Sequence, residues 1–211
     1  MPAEAALVIS ITFGYPIIRS IVAAFNPPTS PPLSNAHLVK LLLWEPALAA
    51  VALLILKANG NLNSFGLTPT WKGTAEGLIL AIGTYAVCIL VYLVVYPFFP
   101  VALHQRPNEL VAPDLIFGLV IAVSIVNPLF EEFFVSGYLI TTLEQWRHPW
   151  FAINVSVTVR WLYHLYQGPS GTVAILPIGF VFAQWYNRTG RLWPLVTAHA
   201  LFDYTGLATN A

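Results

Sequence analysis

Charge is what this sequence has least of. Of its 211 residues only 9% are Asp, Glu, Lys or Arg, against about a quarter in an ordinary soluble domain. Nine Lys+Arg balance nine Asp+Glu, so there is no net positive field to draw nucleic acid. Cysteine occurs once, at Cys88 in an apolar run. That excludes a disulfide framework and a thiolate metal cluster, and leaves a small core residue. Internal repeats are lacking, and no segment is long enough to make a separate soluble domain, so 1–211 reads as one integral membrane domain.

What is present is apolar. Hydrophobic residues make up 57% and aromatics 14%, and the mean hydropathy is +0.72. A crossing of the bilayer takes about 20 mostly apolar residues. Turn-rich stretches cut the chain into about seven such segments, near 5–25, 37–57, 73–97, 114–147, 149–166, 172–187 and 191–208. The fold expected is therefore an all-α, polytopic transmembrane bundle of about seven spanning helices. Within it, 1–113 supplies the N-terminal helices and 114–208 the catalytic ones. The first segment has Glu4 where a secretory signal carries basic residues, and Arg19 sits inside its apolar run; it reads as a spanning helix rather than a cleaved leader. The polar stretch from Lys57 to Gly73 is expected at the interface. In the fourth segment Asn127-Pro128 marks either a kink or a helix restart capped by Asn127.

Lys57, Lys72, Arg147, Arg188 and Arg191 fall in alternate loops. The positive-inside bias then puts the N-terminus in the cytoplasm and the C-terminus outside. Small size and the lack of targeting signals point to a bacterial plasma membrane. His37, His104 and His148 read as interfacial, and Trp71, Trp146, Trp150 and Trp193 as an aromatic belt. Lys40 and Glu45 stand near the start of the second helix, and Arg19 has no evident partner.

Against this background six ionisable residues stand out: Glu131, Glu132, Arg160, His164, His199 and Asp203 all lie in or beside apolar runs. Each costs at least a few kcal/mol at membrane depth. A single one is best read as a polar tie between helices, but six in three segments call for a function. Arg160 and His164 are four apart, as are His199 and Asp203, so each pair shares a helix face. Glu131 and Glu132 point about 100° apart, so one can face water while the other faces a neighbouring helix. Such a set supports hydrolysis. A carboxylate out of water is a stronger base for activating a water, and a histidine beside an acid can donate to a developing oxyanion. Glu131, His164 and His199 could instead hold a divalent metal such as zinc.

The segments NPLFEEFFVSGYL, RWLYHLYQG and AHALFDY resemble the CAAX-protease and bacteriocin-processing intramembrane peptidases, which include the type II CAAX prenyl endopeptidases. That family has a Glu-Glu pair followed by Arg, an aromatic residue four before a His, and a His four before Asn or Asp. The resemblance implies an intramembrane endopeptidase acting on a membrane-associated protein or peptide. It casts Glu131 as general base, Glu132 as supporting carboxylate, His164 as water-orienting or ligand residue, and His199 with Asp203 as the oxyanion side. Two positions depart from the pattern. The family Arg is Ser136 here, and the family aromatic is Arg160, so the guanidinium has moved one helix on, where it can still pair with Glu132.

Ser136-Gly137 with His199 invites comparison with rhomboid-like serine proteases, but Phe134 stands where that signature has glycine. An HExxH zinc motif is absent. The rival from another class is a catalytically silent membrane protein that confers bacteriocin immunity or binds a partner. Trp161 and Tyr163 beside His164 read as packing residues.

Overall fold

The computed structural model describes residues 2–27, 31–61, 63, 65–103 and 110–208. His104, read above as interfacial, lies outside them. Among the described residues the protein is helical, with one isolated bridge between Leu33 and Val111. The helices are α1 (Pro2–Phe25), α2 (Asn35–Ala58), α3 (Trp71–Val95), the short α4 (Pro100–Leu103) and α5 (Phe117–Glu131). A π-helical segment, Glu132–Tyr138, joins α5 to α6 (Leu139–Glu144). Then come α7 (Pro149–His164), a 3-10 turn (Leu165–Gln167), α8 (Gly168–Thr189) and α9 (Trp193–Ala208).

Five continuous helical stretches are long and apolar enough to cross a bilayer, as the composition requires of an integral membrane protein. The last of them, Pro149–Thr189, contains both α7 and α8, which pack on each other as a hairpin. The turn is made by Gly168, whose φ of 71° a side chain would strain, and Trp161 Nε1 donates across it to Thr172 Oγ1 at 3.2 Å. With α9 the helical passes come to about seven, as expected. The Phe117–Glu144 stretch is the most buried of the candidate spans, and so forms the centre. α2 and α9 pack on α5, α7 packs on α6, and α3 closes the bundle against α8 and α9.

One expectation is corrected. Asn127-Pro128 does not restart a helix: α5 runs through Pro128 to Glu131, and a π turn begins one residue later. There Leu139 N–H reaches back five residues to Phe134 O, and Ser156 of α7 donates to the Val135 carbonyl at 2.9 Å. The Lys57–Gly73 stretch packs back onto the helices at Phe65. Phe65 is buried, its ring edge-on to Phe133 and Tyr138, and its carbonyl accepts from Tyr186 Oη at 3.1 Å. Gly66 beside it leaves no room for a methyl group: a Cβ there would stand 1.8 Å from the Gly190 carbonyl oxygen. Arg19, unexplained by sequence, stacks over the Tyr15 ring at 6.0 Å.

Candidate active site

The candidate site is built where the π turn faces α7 and α9. A π turn widens the helix by one residue, and such turns occur often at functional sites. Here it follows directly on Glu131. Glu132 is wholly buried, at 0% exposure, whereas Glu131 keeps 7%. That difference assigns the two carboxylates different neighbours. Arg160 Nη2 lies 2.8 Å from both oxygens of Glu132, which also accepts from Ser136 Oγ at 2.5 Å and from His199 Nδ1 at 2.7 Å. A charge taken out of water needs this degree of saturation to persist. Glu131 accepts from Tyr163 Oη at 2.6 Å and meets Arg160 Nη1 at 3.5 Å, both at Oε2.

His199 bridges the acids. Its Nδ1 faces Glu132, while Nε2 stands 3.5 Å from Asp203 Oδ1 and 4.0 Å from Glu131 Oε2. Asp203 is held in turn by Asn127 Nδ2 at 2.8 Å. His164 is placed differently: its Nδ1 lies 2.9 Å from the Arg160 carbonyl. A carbonyl only accepts, so Nδ1 carries the hydrogen and a neutral ring keeps its lone pair on Nε2. No hydrogen bond among the described residues joins His164 to the carboxylates. Its ring is stacked with Tyr166 and tilted against Tyr163.

Of the residues selected from sequence, Glu131, Glu132, Arg160, His199 and Asp203 are thus in mutual contact, and His164 stands one turn from Arg160. Three further members were not foreseen in these roles. Tyr163, read as packing, holds Glu131. Asn127, read as a helix cap, holds Asp203. Ser136, in the place of the family Arg, caps Glu132 and leaves space that the Arg160 guanidinium fills, with Nη2 3.5 Å from its hydroxyl. Only the four-residue spacing of Ser136 from Glu132 on one helix hinted at this.

The metal reading does not fit these residues. Among the described residues no three His, Cys, Asp or Glu side chains form a group able to hold a metal ion. Glu131, His164 and His199 therefore do not assemble as a ligand set. Arg160 already sits at Oε2 of Glu131.

Comparison with curated proteins and with solved structures yields no match. Comparison with family models does: residues 113–205 match the type II CAAX prenyl endopeptidase Rce1-like family, a family of proteases embedded in membranes. The matched span begins just before α5, ends within α9, and takes in every member of the ion-pair network. Over residues 113–205 the chain is thus similar to the type II CAAX prenyl endopeptidase Rce1-like family.

Proposed function

We propose that this protein is an intramembrane endopeptidase that hydrolyses a peptide bond of a membrane-associated protein or peptide, with Glu131 as the base. The observation that carries the reading is the asymmetry of the two glutamates inside the matched residues. Glu132 is consumed by Arg160, Ser136 and His199, while Glu131 retains the residual exposure and offers Oε1.

Glu131 takes a proton from a water, and the hydroxide adds to the scissile carbonyl carbon. Tyr163 and Arg160 anchor Oε2 of Glu131, so Oε1 is aimed at the water. The neutral His164 ring offers its Nε2 lone pair to orient that water. Negative charge developing on the carbonyl oxygen is met by His199, whose ring is fixed at Nδ1 by Glu132 and whose Nε2 has Asp203 behind it. Donors fixed beforehand in a dry site are worth far more than in water. As the C–N bond breaks, Glu131 returns its proton to the departing nitrogen, leaving a carboxyl and an amine terminus.

Quantitative terminal proteomics of native membranes would test this, comparing wild type with Glu131→Gln. Neo-termini present in the wild type and missing in the variant are the expected result. Identical terminal profiles, with biological function retained by Glu131→Gln, would favour the immunity or partner-binding alternative.

A further inference from the structure

Glu45 lies outside the matched residues, on α2, and from sequence it reads only as a residue near the start of the second helix. The structure buries it to 6% exposure, and its Oε2 has no hydrogen-bond partner among the described residues. α2 packs on α5, the helix of Glu131, and α5 packs on α9, the helix of His199 and Asp203. The Glu45 carboxyl is accordingly within electrostatic reach of Glu131, Asp203 and His199. It is a fourth acid among the helices packed around the site.

The cations of the site are already engaged. Arg160 is held by Glu132 and Glu131, His199 stands between Glu132 and Asp203, and His164 turns Nδ1 to a backbone carbonyl. Close by on α2, Pro46 has no N–H for the carbonyl of Leu42, one turn earlier. On α5, which packs on α2, the buried Ser124 hydroxyl also lacks a partner. A buried acceptor left unmade is costly, and one beside a hydrolytic site is explained when the substrate supplies the donor.

We propose that Glu45 is the recognition carboxyl of the site, and that the substrate is a peptide carrying a Lys or Arg side chain next to the bond that is cut. This rests on the peptidase reading above. A basic side chain is the ligand that answers both deficits at once, bringing three or more donors and one positive charge. Its methylene stem suits passage between apolar helices while its head reaches the acid. With α2 packed on α5, a cation held at Glu45 stands on the helix next to that of the Glu131 base.

The test uses the full chain in lipid nanodiscs and a quenched-fluorescent peptide library in which Lys or norleucine occupies each position flanking the cleaved bond. Wild type is expected to favour one Lys peptide over its norleucine twin by about tenfold or more in kcat/KM, the scale of one hydrogen bond to a charged group. Glu45→Gln should bring that ratio close to one, with the loss falling on the KM of the Lys peptide. No Lys preference in the wild type, a preference that survives Glu45→Gln, or an equal fall in kcat on both twins would each overturn the proposal. Thermal unfolding of Glu45→Leu provides a separate check: an acid without a structural partner is removed at no loss, so a lowered midpoint would also overturn it. Anisotropy binding of the same peptide pairs to Glu131→Gln separates the two readings. If the wild type cleaves nothing, the peptidase reading fails. Glu45 recognition then stands or falls on whether Lys binding is tighter and is lost in Glu131→Gln/Glu45→Gln.

Discussion

Arg160 on α7 reaches both oxygens of Glu132 at 2.8 Å through a single guanidinium nitrogen, and neither side chain is more than 2% exposed. This contact ties the central helix to the α7–α8 hairpin. The Phe182 ring on α8 lies 5.7 Å beneath the guanidinium and closes it off.

Arg160→Leu should leave Glu132 buried with its principal counter-charge gone. Breaking such a pair costs about 3–5 kcal/mol, so the variant should unfold in detergent well below the wild-type midpoint, or fail to accumulate. Arg160→Phe with Ser136→Arg returns the guanidinium to the helix where the family carries it, and should recover part of that stability. A double variant no better than Arg160→Leu would show that the guanidinium is not transferable.

Tyr163→Phe deletes the phenol that donates to Glu131 at 2.6 Å and little else. A hydrogen bond to a charged group is worth about 1.5–3 kcal/mol. Peptidase kcat should therefore fall by about ten- to a hundred-fold, while the protein still folds and inserts. Unchanged turnover would detach Tyr163 from the positioning of the base.

Gly66→Ala places a methyl against the Gly190 carbonyl oxygen and forces alanine to a φ of 75°. Both effects are unfavourable, the backbone one alone by about 1–3 kcal/mol. The loop that seats Phe65 under the π turn should loosen, lowering thermal stability and exposing that loop to limited proteolysis. A protease-resistant Ala variant would contradict the close approach.

Orientation is open to reporter fusions. Tags after Lys57, Arg147 and Arg188 should report cytoplasm and a tag after Ala211 the opposite side, following the loop bias in basic residues. A cytoplasmic report after Ala211 would reverse the orientation or change the number of passes.

The sequence by itself determined the solvent of this protein and the number of its passes. With so few charges and so many long apolar runs, lipid is the environment, and helices satisfy their own backbone there. Spacing of four residues also put Arg160 with His164, and His199 with Asp203, on common faces, because helical period is a local property. What lay between helices was not legible. Nothing local distinguishes a tyrosine that packs from one that donates to a carboxylate, and Tyr163 became a partner of Glu131 only when α7 met the π turn. The site of irregularity also moved. Pro128 signals a break, yet a proline in a packed central helix can be carried through, and the widened turn fell at Glu132 instead. Glu45 shows the limit most plainly. Its place near the start of the second helix gave no sign of burial, and it was the packing of α2 on α5 that enclosed it. Pairing of distant charges depends on helix rotation and depth, which tertiary contacts set and no single segment encodes.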